Sequence, residues 1–463
     1  MKKNFETVLT ATGGHLIHRG SDHEFSGLSI DSRTLAAGEL FLCLTGDRFD
    51  GHDFLADAVR KGASGLIVSS LDKLPGMVEG EGPFVVRVED TLLGLQALAH
   101  YFRKQFSLKV VGITGTNGKS TTKEMISSIS STQFNTLKSH GNFNNHIGLP
   151  LNLLGLNKQH EVAILEMGMS AKGEIARLAQ IAEPDIGLIT NISEAHMVHL
   201  PTVRDVQSAK GELFSSLNET SCAIVNADDP LVLELAKNLR SKKITFGVDN
   251  DADVRGLDIR QSAGFGYQFS LATTSGKHPV HLPFPGRYNV LNAVAAAATG
   301  FALGLAPEQI VKGLETSKLL GQRVQVRKEK GVTLIDDTYN ANPRSMLEAI
   351  KTLSSLDSTG KRFLVIGDMF ELGNNETAAH QLLGEQVAKG SIDFLVGVGD
   401  LIGLTVESAI EAGQPKEQSI LFKTHEEAAR FLQNQVQSGD VILFKGSRGA
   451  QMERVLKVFC GDN

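Results

Sequence analysis

The sequence predicts an α/β protein of three domains built on mainly parallel sheets, and three observations carry that reading. The chain has 463 residues, and at roughly 100 to 200 residues per domain that length asks for about three cores. Short apolar runs such as Val162-Ala-Ile-Leu-Glu166 and Phe363-Leu-Val-Ile366 alternate with amphipathic stretches from end to end, the pattern of strand-helix units whose sheet is covered on both faces. A composition of 41% hydrophobic and 21% charged residues with a net charge of -6 is that of a globular protein and gives no basic footprint for a nucleic acid.

The first domain is expected over residues 1–88, with strands in Gly27–Arg33, Glu39–Leu44 and Gly65–Val68, a helix over Phe54–Lys61, and a polar, glycine-rich stretch at Glu79–Pro83 before its end. A helix over Leu92–Lys104 then leads into the second domain, residues 89–317. Its strands are expected at Lys109–Thr114, Val162–Glu166, Ile186–Thr190 and Ala223–Val225. Alternating short strands between about 244 and 284 read as an antiparallel addition, and an alanine-rich helix follows over Asn289–Leu303. The third domain, residues 318–463, carries strands at Val332–Ile335, Phe363–Ile366, Phe394–Val396 and Val441–Phe444, with helices over Pro343–Leu353 and Ser447–Val458. Cys43, Cys222 and Cys460 form no C-x-x-C pair and read as buried or inert thiols in a reducing compartment. The start MKKNFETVLT has no apolar core of a signal peptide, and no run of about 18 apolar residues occurs, so the expected location is the cytoplasm, without membrane insertion.

The stretch Gly112-Ile-Thr-Gly-Thr-Asn-Gly-Lys-Ser-Thr121 follows a strand and opens a helix near Lys119. It misses the strict phosphate-loop pattern G-x-x-x-x-G-K-[ST], because counting back five from Gly118 reaches Ile113. The physics of a phosphate site is present all the same. Backbone N–H groups at a helix start favour anions. Gly115 and Gly118 allow a tight turn and close approach, with Thr116, Asn117 and Thr121 completing the loop. Lys119 offers a point charge to the β- and γ-phosphates and Ser120 a hydroxyl to magnesium.

A bound triphosphate needs its magnesium held from neighbouring strand ends. Glu166, closing the run VAILE, and His196, in Asn191-Ile-Ser-Glu-Ala-His196, are the candidates. A guanine switch would carry Asn-Lys-x-Asp, and the one Asn-Lys pair, Asn157-Lys-Gln-His160, lacks the aspartate. A phosphotransferase with a small acceptor and a non-catalytic nucleotide-binding module stay open on these residues.

Several motifs together resemble the ATP-dependent Mur ligases of peptidoglycan synthesis. Thr114 to Ser120 matches the family's loop, T-G-[TS]-[NS]-G-K-[ST], which also lacks the first glycine. Gly141-Asn-Phe-Asn-Asn-His-Ile-Gly-Leu-Pro150 is similar to its asparagine-rich loop, with Asn142, Asn144 and Asn145. Glu166 matches its magnesium-binding glutamate, and His196 its histidine. Lys210, in Ala209-Lys-Gly-Glu212, matches the lysine that family members carbamylate. Gly286-Arg-Tyr-Asn289-Val-Leu-Asn292 resembles the paired asparagines near the adenine, Arg323 the arginine at the third-domain junction, and Asp337 in Asp336-Asp-Thr-Tyr-Asn-Ala-Asn-Pro343 the aspartate there.

The resemblance implies a small N-terminal α/β domain for a UDP-linked substrate, a central P-loop ATPase-like domain and a C-terminal Rossmann-like domain; nothing in the sequence demands more than a monomer. It implies ATP and Mg2+ as cofactors, with Ser120, Glu166, His196 and Lys210 around the metal, and Lys119, Arg323 and Asp337 among the catalytic residues. Within the family, Tyr339-Asn-Ala-Asn-Pro343, Gly367-Asp-Met-Phe-Glu-Leu-Gly373 and Lys445-Gly-Ser-Arg448 look most like the member that joins D-alanyl-D-alanine to UDP-N-acetylmuramoyl-tripeptide through an acyl phosphate. The alternative is the sister enzyme that adds the third amino acid, diaminopimelate or lysine, to UDP-N-acetylmuramoyl-dipeptide. Ser29, Asp31, Ser32 and Arg33, with Thr45 and Gly46 in Thr45-Gly-Asp-Arg-Phe-Asp-Gly-His52, resemble the uridine and diphosphate loops. Asn340, Lys445, Ser447 and Arg448 are expected to face the ribose, phosphate or incoming dipeptide carboxylate, which suits an arginine fork.

Overall fold

The computed structural model describes residues 3–21, 24–46, 49–74, 76, 82–262, 264–319 and 321–462. Asp47 and Arg48 of the expected diphosphate turn and most of Glu79–Pro83 lie outside the described residues. The chain forms two compact units, Met1–Val110 with Leu137–Met167 and Ala176–Glu183, and Val111–Thr136 with Gly168–Ile175 and Pro184–Asn463. In chain order the strands are β1 (His15–His18), β2 (Leu28–Ser29), β3 (Leu40–Leu42), β4 (Gly65–Val68), β5 (Phe84–Arg87), β6 (Lys109–Thr114), β7 (Thr136–Lys138), β8 (Val162–Glu166), β9 (Ile186–Ile189) and β10 (Cys222–Asn226). There follow β11 (Lys242–Gly247), β12 (Val254–Gln261), β13 (Tyr267–Thr273), β14 (Gly276–Leu282), β15 (Gln325–Glu329), β16 (Val332–Asp337), β17 (Arg362–Gly367), β18 (Phe394–Val398), β19 (Ser419–Phe422) and β20 (Val441–Lys445).

In the first unit, β1-β5-β4-β3-β2 form a sheet that is parallel except for β1. The two-residue period of a strand divides its side chains between two cores. Leu40, Leu42, Ile67, Phe84 and Val86 join one cluster, while Phe41, Cys43, Leu66, Val68 and Val85 join the other. This is why the runs read as continuously apolar. The helix Thr91–Lys104, expected to open the second domain, instead buries Leu95, Leu98 and Phe102 with Phe5 and Val8 in the first of these clusters. Amphipathic spacing showed that one face is buried, but not against which sheet.

In the second unit the strands follow the order β14-β13-β12-β11-β10-β9-β6. The expected antiparallel addition begins later than its residues suggested. β11 runs parallel to β10, and β12 parallel to β11 through Phe246↔Val254; only β12-β13-β14 alternate in direction. The connection after β11 folds around Asp228, whose carboxylate accepts from the N–H groups of Val248, Asp249 and Asn250, so the chain re-enters the sheet in its original direction.

A second sheet in this unit, β15-β16-β20-β17-β18-β19, is parallel apart from β15. Its core stacks Phe363 on Phe394, with ring centroids 4.7 Å apart. The helix expected from Ser447 begins only at Glu453, because a short 3-10 turn at Arg448–Ala450 ends on Gln451 at φ 49°. All three cysteines are free, and burial raises their thiols, that of Cys460 to about 12. Among the described residues no helix is long and apolar enough to cross a membrane.

If the helix Thr91–Lys104 belongs to the core of the first sheet, Leu98→Ala should cost about 2–5 kcal/mol. A lower urea midpoint measures this; an unchanged midpoint would place the side chain outside that core.

Candidate active site

The glycine loop joins β6 to the helix Lys119–Ser130. Ile113, the residue that breaks the strict pattern, is fully buried in β6 opposite Leu188, so the turn has not begun there. It begins at Gly115, with φ 145°, and ends at Gly118, with φ 82°. Close approach requires both glycines: a Cβ on Gly115 would lie 1.9 Å from Thr190 Oγ1, and one on Gly118 2.4 Å from Asn292 Oδ1.

The end of β9 moulds the loop. Thr190 Oγ1 donates to the Asn117 carbonyl at 2.6 Å, Asn191 Nδ2 donates to the same oxygen at 3.0 Å, and the Asn117 N–H donates to Asn191 Oδ1 at 3.0 Å. Thr116 N–H donates to the Asn191 carbonyl at 2.9 Å. Asn289 and Asn292 are buried on the helix Tyr288–Ala302, Asn292 Nδ2 donating to Asn289 Oδ1 at 3.1 Å.

Two lysines meet at this loop. Lys119 Nζ donates to the Gly115 carbonyl at 2.8 Å and to Thr116 at 3.2 Å, and Lys210 Nζ reaches the same Gly115 oxygen at 3.0 Å. Lys210 rises from the helix Val203–Ser215 and is 2% exposed, with no acidic partner among the described residues. Burial first, and Lys119 second, hold its ammonium well below the usual lysine range. The buried hydroxyls of Thr114 and Thr122, on either side of the loop, and of Ser193, after β9, have no hydrogen-bond partner among the described residues.

His196 stands on a left-handed backbone, φ 56°, with Nδ1 2.9 Å from Glu371 Oε2. Burial lowers its basicity; Glu371 opposes that, and Lys210 and Lys119 add to it. A second long-range contact joins Asn117 to Asn342, whose Nδ2 donates to Asn117 Oδ1 at 2.8 Å while its own Oδ1 caps the helix Pro343–Ser355 through Ser345 N–H at 2.9 Å. Asp337 Oδ2 accepts from Lys445 Nζ at 2.5 Å, and Lys445 also reaches the Asn340 carbonyl at 3.0 Å. Arg323 lies over the Tyr339 ring at 3.9 Å, a cation–π contact. Arg448, largely exposed, donates to Gln322 and Glu453, whereas Ser447 is buried, its hydroxyl donating to the Ala341 carbonyl and accepting from Phe370 N–H.

The first unit holds the remaining candidates. Glu166 is buried at the end of β8, accepting from Asn144 Nδ2 at 2.9 Å, and its N–H donates to Ser139 Oγ at 3.0 Å. Asn145 Oδ1 accepts from Gly148 N–H, and the Asn142 carbonyl from Asn144 N–H, so the asparagines shape their own loop. Asp31 and Arg33 form a surface pair whose hydrogen bond lowers the Asp31 carboxyl to about 2, and Lys61 ties the Ser32 and Arg33 carbonyls from below. Ser29 Oγ donates to the Asp31 carbonyl, Thr45 Oγ1 reaches Asp50, and Gly46 N–H donates to Phe49. His52 is buried structure, its Nε2 accepting from Ser69 N–H. Glu371, Asn342, Thr190 and Asn191 were not singled out from the sequence. Glu371, Asn342 and Asn191 lie inside motifs quoted above and Thr190 ends a strand expected there, which was the signal.

Gly115→Ala should fold and bind ATP at least about tenfold more weakly, a loss of about 1.4 kcal/mol, read by calorimetric titration. Unaltered affinity would refute the close-approach account.

Family models match three consecutive stretches: "Mur ligase family, catalytic domain" over residues 24–103, "Mur ligase middle domain" over 113–300, and "Mur ligase, glutamate ligase domain" over 322–448. The UDP-N-acetylmuramoyl-tripeptide--D-alanyl-D-alanine ligase of Bacillus subtilis (strain 168) is 38% identical over 432 residues, covering 93% of this chain and 92% of its own. That of Escherichia coli (strain K12) is 36% identical over 444 residues, with 95% and 94% covered. A crystal structure of MurF from Acinetobacter baumannii superposes with a TM-score of 0.90 at 33% identity, covering 100% of this chain and 99% of that one. MurF from Thermotoga maritima in complex with ADP gives 0.82 at 30%, covering 94% and 97%. With three domain models in order and full-length identity above 30%, the chain belongs to the Mur ligase family.

Proposed function

We propose that this chain is an ATP-dependent, ADP-forming ligase that joins D-alanyl-D-alanine to UDP-N-acetylmuramoyl-tripeptide in peptidoglycan precursor synthesis. The substrates follow from the full-length relatives, which carry that activity in their names. The observation that carries the ligase reading is the meeting of Lys119 and Lys210 on the Gly115 carbonyl. A plain phosphate-binding module has no use for a second lysine amine buried behind its loop.

In the first step a carboxylate oxygen of the tripeptide attacks the γ-phosphorus of ATP, the bond to the β-phosphate oxygen breaks, and ADP leaves. In the second the dipeptide amine attacks the acyl carbon, the tetrahedral intermediate expels phosphate, and the amine proton is lost as the amide forms. Charge accumulates first on phosphoryl oxygens and then on the oxyanion, so positioning and electrostatic stabilisation dominate. Gly115, Thr116, Asn117, Gly118, Ser120 and Thr121 surround the phosphates, the N–H groups of the helix start facing them while those of Thr116 and Asn117 stay bonded to Asn191, and Lys119 turns from its loop carbonyls to the β- and γ-phosphates. Arg323 and Asp337 serve the nucleotide from the third domain, and Asn289 and Asn292 brace the loop beside the adenine. Ser29, Asp31, Ser32, Arg33, Thr45 and Gly46 take the UDP part, Asn142, Asn144 and Asn145 the peptide end, and Asn340, Lys445, Ser447 and Arg448 the dipeptide.

The donors suit magnesium, a hard cation that keeps several waters and takes one or two carboxylates beside phosphate oxygens. No cluster of three or more His, Cys, Asp or Glu occurs among the described residues; Glu166, in the first unit, is a buried carboxylate. Ser120, Glu166, His196 and carbamylated Lys210 would hold the metal, which when bound offsets negative charge on the phosphoryl oxygens. Lys210, whose ammonium form burial and Lys119 disfavour, adds its amine nitrogen to carbon dioxide and releases a proton, giving a carbamate whose one negative charge is shared by two oxygens. The reaction runs in the cytoplasm on a monomer, without membrane insertion.

Phosphate release should require UDP-N-acetylmuramoyl-tripeptide and D-alanyl-D-alanine together; release with UDP-N-acetylmuramoyl-dipeptide and diaminopimelate or lysine would assign the sister activity instead. Lys210→Ala should lose on the order of 10²-fold or more in kcat, as expected for removing a group that stabilises transferred charge, and added short-chain carboxylic acids should restore part of it. Full activity in the variant would sink the carbamate.

A further inference from the structure

His196 and Glu371 both occupy left-handed backbone, at φ 56° and 63°, which non-glycine residues seldom adopt and which persists only where surrounding contacts impose it. Two bonds join their segments: the imidazole Nδ1 is 2.9 Å from Glu371 Oε2, and Met197 N–H donates to the Glu371 carbonyl at 3.1 Å. The carboxylate is presented from a braced loop. Buried His380 accepts from Met369 N–H at 3.2 Å and has its Nδ1 2.8 Å from the Glu376 carbonyl, and Phe370 N–H donates to Ser447 Oγ at 3.0 Å. Thus the two residues before Glu371 are pinned while its own side chain reaches out to His196.

An ionised carboxylate only accepts hydrogen bonds, so the Nδ1 facing it must carry the hydrogen, and in a neutral ring Nε2 then keeps the lone pair. We propose that Glu371 is a positioning residue for the ligation reaction: through the Nδ1 contact it locks His196 in the Nδ1–H tautomer and leaves Nε2 as the one ring nitrogen whose lone pair can bind a cation. The inference rests on the role given to His196 above. It adds that this role is set by the third-domain segment Gly367–Gly373, which the central domain cannot supply for itself. A carboxylate that orients a ligand histidine usually changes activity or metal affinity by about 10–100-fold when removed.

The test reads the ring directly. The full chain is labelled with 15N-histidine, and the His196 resonances are identified by their loss in His196→Gln. The unaltered protein should show a protonated Nδ1 and an unprotonated Nε2. Glu371→Ala should shift population to the Nε2–H ring, whereas Glu371→Gln, whose side-chain carbonyl still accepts, should keep Nδ1–H. In turnover, Glu371→Ala should lose about 10–100-fold in kcat with KM for the nucleotide-peptide little changed, and Glu371→Gln should recover most of it. Asn342→Ala, which removes the contact to Asn117, should leave the His196 tautomer as it is. An Nε2–H ring in the unaltered protein overturns the proposal, as do unchanged ring nitrogens in Glu371→Ala or the same tautomer shift in Asn342→Ala. Because the spectra need no substrate, an error in the acceptor assigned above would appear in the turnover assay alone.

Discussion

Two lysine amines converge on one carbonyl oxygen, that of Gly115, and the surrounding structure is arranged so that they can. Two unit charges about 4 Å apart repel by about 4 kcal/mol at an effective dielectric near 20, so both lysines cannot comfortably stay charged. Lys119, half-buried, stands at the start of its helix. Lys210, buried and without an acidic neighbour among the described residues, is the one whose ammonium is disfavoured by burial and by Lys119. Two residues of the same type thus stand in unlike settings, one at a helix start and one buried behind the loop.

The loop that carries this carbonyl does not hold its shape alone. Thr190 and Asn191 bond its backbone from the end of β9, and Asn342 bonds the Asn117 side chain from the third domain. Asn342 uses Oδ1 to cap its own helix and Nδ2 to hold the loop. The start of that helix and the apex of the loop are therefore tied through one amide, at the cost of neither bond. By contrast, the charged pair of the third domain, Asp337 with Lys445, is satisfied locally and nearly buried. What that domain lends to the phosphate loop and to His196 is an amide and the Glu371 carboxylate, each aimed by a braced segment.

Much of this was legible in the sequence where the physics is local. Continuous apolar runs located β4, β8 and β17 because a strand covered on both faces has no polar side to show. The glycine loop was legible because its turn, its amine and its helix start are ten consecutive residues. Short or polar strands such as β7 and β15 were not, since Gln325–Glu329 is an antiparallel edge strand with little to bury. Nor was the start of the last helix, which depends on one left-handed residue, Gln451. Glu371 and Asn342 escaped notice for a different reason. Their partners lie 175 and 225 residues away in sequence, and nothing in a composition or a period records such a distance.

The misfit at Ile113 and the pairing of lysines are one structural fact. In a loop of the strict pattern a glycine stands two residues earlier than Gly115, and the chain can leave the strand there. Here Ile113 stays in register opposite Leu188 and fully buried, so the whole turn is compressed into Gly115–Gly118. Compression forces Gly115 to φ 145° against Thr190, where no side chain fits. It also keeps the Gly115 carbonyl low in the loop, within reach of an amine rising from the helix Val203–Ser215. A longer excursion before the helix would carry that oxygen away from Lys210 and leave the buried amine with no acceptor, at a desolvation cost of about 1–3 kcal/mol. The residue that disqualifies the loop from the general pattern is thus the one that lets this loop and Lys210 form a single unit.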